Sequence, residues 1–313
     1  MPATRLIDTT TDAAAVLRRG GLVVLPTETV YGLAADATDP DAVARVFEAK
    51  GRPSDNPLIV HVADVASVEA IAHTTPLAVA LFDAFAPGPL TLVLPSRGTL
   101  PDAVTAGLDT VALRIPALDI PREVIAQAGV PLVAPSANRS GRPSPTTWQA
   151  AHADLDGRVD AILRGDPSRL GLESSVVDAT GETAILLRPG GVSLEALRAV
   201  VPGARALAPG EGGTERSPGL RHRHYAPRAR VRLLASLADA APRPDACYIG
   251  LEAPPDGYGR AEVPPDLATY ARRLFAFFRE ADAAGLVRID ALTVPEAGLG
   301  RALMDRLRRA AAA

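Results

Sequence analysis

Apolar positions along this chain fall into two rhythms, and each predicts its own kind of element. Thr10 to Arg19 reads as a helix with a Thr/Asp start and Gly20-Gly21 as its stop. "LVVL" (Leu22 to Leu25) is a short apolar run, a buried strand ended by Pro26. Asp39-Pro40 opens a second helix on which Val43, Val46 and Phe47 share a face, and Lys50 stands at its C-terminal end. "LIVHV", "LTLVL", "VALRI", "PLVA", "SSVVD" and "AILLR" predict further strands, with helices over Leu77 to Phe85 and Thr146 to Leu155. The two kinds mix without strict alternation, which points to a twisted mixed α/β sheet rather than a barrel.

The rhythm stops at residues 207–230. "APGEGGTERSPGLRHRHYAPRAR" carries glycine, proline and arginine with almost no apolar residue, the composition of a linker. Beyond it, "VRLLA", "ACYIGL", a helix from Leu267 to Ala284, "VRIDALTV" and a last helix from near Gly298 predict a small second α/β unit. In that last helix Ala302, Leu303 and Leu307 recur at helical spacing. The expected division is a first domain 1–206, a linker 207–230 and a small C-terminal domain 231–313. A length of 313 residues agrees with two domains.

Composition narrows the classes. An apolar fraction of 47% supports real cores and argues against disorder. A net charge of −3 gives no global pull toward nucleic acid or an anionic membrane. The lone Cys247 excludes an intramolecular disulfide and fits a reducing compartment. Neither a signal peptide nor a run of ~18 apolar residues is visible, so a soluble cytoplasmic protein is expected. Of the 33 lysine and arginine residues only Lys50 is a lysine. Arginine-biased composition accounts for the scarcity, so the setting of Lys50 has to carry any functional reading.

Five stretches have that kind of setting. "LPTETVYGLAAD" releases Thr27, Glu28, Thr29 and Tyr31 at the exit of a buried strand, where α/β proteins place ligands. "KGRPSDNPL" holds Lys50, Arg52 and Asn56 in a loop stiffened by Pro53 and Pro57. A compact ammonium and a flat guanidinium fork there suit phosphate. His61 follows on the next strand, sharing a face with Ile59, and has a structural reading beside the catalytic one. "LVAPSANRSGRPSPTT" releases Ser136, Asn138, Ser140, Ser144 and Thr146, small groups that hydrogen-bond ribose, phosphate or amino-acid atoms. No G-x-S-x-G elbow surrounds Ser136, which argues against a serine hydrolase. Arg114 and Arg188 lie in apolar strands and need anionic partners, either a ligand or the sheet's own acids. The "SPGLRHRHYAP" run reads as a lid touching a ligand through Tyr225 or His224, or as a solvated basic hinge. No P-loop, no G-x-G-x-x-G and no zinc spacing is present.

Taken in order, "PTETVYGL", "K-x-R-P-x-x-NPL", "P-SAN-x-SG-x-x-SPT", "ESSVVD", "LRPGG" and "SPG…RHYAP" resemble the YrdC-domain threonylcarbamoyl-AMP synthases in their long, two-domain form. The resemblance spans roughly Ala13 to Ala310. It implies a twisted α/β sheet with a concave basic face and a small Rossmann-like second domain. It also implies a nucleotidyltransferase reaction, in which L-threonine, bicarbonate or CO2, and ATP give threonylcarbamoyl-AMP and diphosphate. A separate complex then transfers the group to a tRNA adenosine next to the anticodon; a weak direct tRNA contact belongs to the same expectation. Carried over by motif, Lys50, Arg52, Ser136 and Asn138 form a basic-polar catalytic tetrad. Thr29, His61, Arg114, Ser136 and Ser174 would hold threonine. Lys50, Arg52, Asn56, Thr110, Asn138, Thr146, Arg188 and Tyr225 would meet ATP. Ser144 for Thr146, Ser175 for Ser174 and His224 for Tyr225 stay open. Mg2+ would arrive on ATP, with no protein metal motif. Two rivals are weaker: carbamoyltransferases containing this module are far longer, and an RNA-binding module sits poorly with the net charge.

Overall fold

The structure is a computed structural model and describes residues 3–208, 210–217 and 225–312 of the chain. Eleven strands make the larger sheet: β1 Arg5–Ile7, β2 Val23–Leu25, β3 Gly32–Asp36, β4 Ile59–His61, β5 Leu90–Pro95, β6 Thr110–Arg114, β7 Leu132–Val133, β8 Ala161–Leu163, β9 Ser175–Asp178, β10 Ile185–Arg188 and β11 Arg205–Ala206. Their spatial order is β1-β8-β2-β3-β7-β4-β6-β5-β9-β10-β11. Parallel pairs (β4 with β6, β5 with β9) mingle with antiparallel ones (β5 with β6, β9 with β10), the mixed sheet expected. One element is not among those expected: after the polar exit Thr27 to Tyr31, Gly32–Asp36 turns back as an antiparallel strand on β2.

Side chains alternate across a strand, so register decides which face each row occupies. Val60, Leu113, Leu92 and Val177 are opposed across four strands, and all are fully buried in the main core. Helices Pro40–Lys50, Pro76–Phe85 and Leu194–Val200 cover that face through Val43, Val46, Leu81, Phe82 and Leu197. The next row, His61, Arg114, Thr91 and Val176, necessarily points the other way. Helices Thr10–Leu17 and Asp119–Ala128 shield that second face only near β2 and β8, through Leu17, Val124 and Ile125. The polar row is left for other use.

The helix Pro40–Lys50 shows how local sequence sets the site. Asp39 accepts from the Asp41 and Ala42 amides, Pro40 occupies the first turn, and Gly51 ends the helix at φ 59°. That stop turns Lys50 inward, where 2% of it is exposed.

A second sheet, β12 Arg230–Leu234, β13 Ala246–Ile249, β14 Arg260–Glu262 and β15 Arg288–Leu292, is parallel throughout, in the order β12-β15-β13-β14. Helices Leu267–Ala283 and Leu299–Ala311 supply its core with Phe275, Phe278, Leu303 and Leu307. Val30 and Leu172 of the first unit lie in that same core, so the two units share apolar surface. Gly171 marks the contact. It has φ +74°, and a Cβ there would lie 2.5 Å from the Arg272 Cα. Among the described residues no helix is long and apolar enough to cross a membrane.

Candidate active site

His61 and Arg114 of that row line a small cavity on the second face of the larger sheet. About 50 Å³ of it is open to water, and its walls include Thr29, Arg52, His61, Arg114, Ser136, Glu173, Ser174, Arg188 and Tyr225. Segments far apart in the chain therefore converge. A larger cavity of about 490 Å³, bordered by Ile71, Leu100, Ile125 and Val130, contains none of the candidate residues. We place the site in the smaller one, because charged and hydroxyl groups converge there.

At one end Arg114 is held at three points. It donates to Gly88 O (3.3 Å), Thr29 Oγ1 (2.9 Å) and Glu28 Oε1 (2.6 Å). The anionic partner that a strand arginine needs is thus a resident acid, Glu28. Burial pushes the Glu28 carboxyl up, but the charge and hydrogen bond of Arg114 outweigh it and hold the group below the usual carboxylate range. Burial, with the Arg114 charge second, pushes His61 down to about 3, so its imidazole is neutral at physiological pH. Thr91 and Ser174 hydroxyls share a 2.8 Å bond nearby.

At the other end Lys50 Nζ donates to the carbonyls of Ser136 and of Asn138 (2.6 Å). Its amine is held far below its ordinary value, first by burial and then by Arg52. Ser136 Oγ donates to Asn138 Oδ1 (2.6 Å), and Asn138 Nδ2 to the Arg139 and Arg142 carbonyls, so the loop is bonded throughout. Arg52 donates to the Asn56 and Pro57 carbonyls; burial brings its guanidinium down to about 10. Arg188 donates to Ser174 O (2.9 Å). Glu173 accepts from Ser144 Oγ (2.5 Å) and from Arg306 Nε (2.8 Å), an arginine of the second unit.

Eight sequence candidates line the cavity: Thr29, Arg52, His61, Arg114, Ser136, Ser174, Arg188 and Tyr225. Lys50 and Asn138 stand behind Ser136 and brace it. Asn56 touches Arg52 through its carbonyl. Thr110 shares the Arg114 face but lies four residues back, roughly 13 Å along the strand. Thr146 is buried without lining the cavity. Ser175 turns away, its hydroxyl donating to Val192 O, whereas Ser174 faces in. His224 lies outside the described residues, as does most of the basic run; Tyr225 does not. What is described of the 207–230 segment returns to this face, with Arg216 on Asp178 (2.9 Å) and Ala226 N on Gly141 O. Sequence reasoning assigns no role to Glu173 or Arg306 and gives Glu28 no specific one. Glu28 and Glu173 adjoin assigned residues in their motifs, whereas Arg306 has no sequence signal. Among the described residues no three His, Cys, Asp or Glu side chains gather as a metal site.

A family model described as "Telomere recombination" matches residues 15–190, and one described as "Threonylcarbamoyl-AMP synthase, C-terminal domain" matches residues 192–312. The chain belongs to the threonylcarbamoyl-AMP synthase family. The family's enzymes transfer AMP, a nucleotidyltransferase reaction. The threonylcarbamoyl-AMP synthase of Pyrococcus abyssi is 43% identical over 95% of this chain and 92% of its own length. That of Bacillus subtilis is 39% identical over 96% and 92%. A crystal structure of the Pyrococcus abyssi family member in complex with L-threonine superposes with a TM-score of 0.91 at 39% identity, over 99% of this chain and 98% of that one. The resemblance read from six motifs therefore extends to the whole two-unit architecture of the family.

Proposed function

We propose that this chain makes threonylcarbamoyl-AMP and diphosphate from L-threonine, CO2 or bicarbonate, and ATP, in the cytoplasm, for tRNA modification. Residues 1–206 would carry the reaction, 207–230 would cover the site and 231–313 would support it. Threonine's ammonium loses a proton, its nitrogen bonds to CO2 and gives up a second proton to solvent, leaving a carbamate. A carbamate oxygen attacks the α-phosphorus, the bond to the bridging oxygen of the β-phosphate breaks, and its electron pair leaves with diphosphate.

Each end of the cavity suits one half of that step. Arg114, fixed by Glu28, Thr29 and Gly88, keeps two N–H groups beyond those bonds for threonine's carboxylate. Neutral His61 and the hydroxyls of Thr29, Ser136 and Ser174 can hold the amine and side chain without adding charge. Arg52 and Arg188 offer fixed cations where negative charge grows on the phosphates, with Mg2+ entering on the nucleotide. Lys50 and Asn138 set the Ser136 loop on which both halves meet. No covalent intermediate on the enzyme is required; positioning and electrostatics supply the rate.

The observation that carries the reading is the meeting of Lys50, Ser136 and Asn138 beside a cavity walled by Arg52, Arg114 and Arg188. The test is diphosphate release by purified protein given ATP, threonine and bicarbonate. Release should require threonine; release that continues at the same rate without it would refute the proposal.

A further inference from the structure

Arg306 is the largest fully buried side chain among the described residues, although it sits on a helix of the second unit. Its Nε donates to Glu173 Oε2 across the contact between units (2.8 Å), and its Nη1 to Asp305 (2.6 Å). Among the described residues its Nη2 finds no hydrogen-bond partner. The guanidinium carbon lies 5.1 Å from the centroid of the Tyr225 ring, which itself stacks on Phe275 at 5.4 Å. A guanidinium face on a ring accounts for the nitrogen left without an acceptor.

Burying an arginine this completely is costly, and a well-fitted apolar side chain would often stabilise as well or better. What an apolar side chain cannot do is fix a carboxylate and an aromatic ring together. The planar fork sets Glu173 through one edge and Tyr225 through its face. Both of those residues line the cavity; Arg306 does not. Glu173 is held from its other oxygen by Ser144, so one carboxylate ties the 140–146 loop to the second unit. The tight fit at Gly171 against Arg272 leaves little play in the arrangement.

We infer that Arg306 is a positioning residue for the nucleotide end of the site, acting through Glu173 and Tyr225, so that the second unit supplies part of the active-site geometry. This rests on the reading above that Tyr225 and Arg188 meet ATP.

The test uses the full chain with Arg306→Met and Arg306→Lys, measuring KM for ATP by diphosphate release and threonine binding without ATP by calorimetry. In Arg306→Met, KM for ATP should rise about tenfold while threonine affinity stays within twofold. Arg306→Lys keeps a cation on Glu173 but loses the planar face, and should show the same split at smaller size. An ATP KM within twofold of wild type in the folded Met variant overturns the inference. So does an equal loss of ATP and threonine affinity, the mark of a purely structural role. Should the Met variant not fold, the Lys variant is judged by the same two criteria. If wild-type protein itself releases no threonine-dependent diphosphate, the proposed reaction fails instead. ATP affinity by calorimetry then decides Arg306 alone.

Discussion

The side-chain nitrogen of Lys50 lies 2.6 Å from the backbone carbonyl of Asn138, a bond between residues 88 apart in the chain. It joins the end of a helix to the exit loop of β7, and Ser140 N returns a bond to the Lys50 carbonyl (2.9 Å). The solitary lysine therefore organises the loop that presents Ser136 to the cavity. Lysine suits this place because its compact, rotatable N–H donors reach two converging carbonyls at once.

Lys50→Ala is expected to lower diphosphate-release turnover at least tenfold, about 1.4 kcal/mol of barrier. Lys50→Arg should be impaired too, since a planar guanidinium cannot occupy the pocket of a compact cation. Steady-state kinetics on both variants check this; full activity in the arginine variant would make the lysine incidental.

Glu28→Gln tests the buried pair. Removing the charge leaves Arg114 without its counter-ion where little water reaches, which should cost about 3 kcal/mol of stability in urea unfolding. Adding Arg114→Met should recover much of that loss, because the stranded charge disappears with it. A loss in the double variant equal to the sum of the Glu28→Gln and Arg114→Met losses would show that the pair is not coupled.

His61 predicts a pH effect of definite sign. Its pKa is about 3 folded against an ordinary 6.5, so between those values the unfolded chain holds a proton the native one lacks. Stability contributed by neutral His61 is present above pH 6.5 and falls as pH drops toward 3, by roughly 1.4 kcal/mol per pH unit from this group. Denaturant midpoints for wild type and His61→Gln, followed from neutral pH into the acid range, should diverge accordingly, with the variant showing the shallower acid loss.

Gly171→Ala should weaken the contact between the two units. The added methyl meets the Arg272 backbone, and φ +74° strains any side chain there. A loss of about 2 kcal/mol in chemical denaturation is expected, with threonine affinity less affected than ATP affinity. Unchanged stability would mean the interface is loose.

Much of this site is legible in the chain's own pattern. The exit loops of β2 and β7, the helix end at Lys50 and the strand arginine Arg114 follow from caps, prolines and short apolar runs. The rest is hidden for physical reasons. β1 and β8 have three residues each, and β1 exposes Arg5 and Leu6, so no alternation betrays it. Gly32–Asp36 goes unread as a strand because its small residues are buried nearly throughout and show no alternation. Arg306 stands among Asp305, Arg308 and Arg309 in a stretch that looks like a solvated face; only docking against the first unit buries it. Thr110, assigned by motif position, shares a strand face with Arg114 but does not line the cavity, so position along the strand matters as well as face.

If the proposed reaction is right, threonine's carbamate and the α-phosphate of ATP meet in one cavity. Supplying 13C-bicarbonate with threonine and ATP, and analysing the nucleotide products by mass spectrometry, follows that meeting atom by atom. A threonine-dependent AMP adduct carrying a single 13C atom is expected, greatly diminished in Lys50→Ala. An AMP adduct of threonine without the label, or labelled product formed equally well by Lys50→Ala, would contradict it.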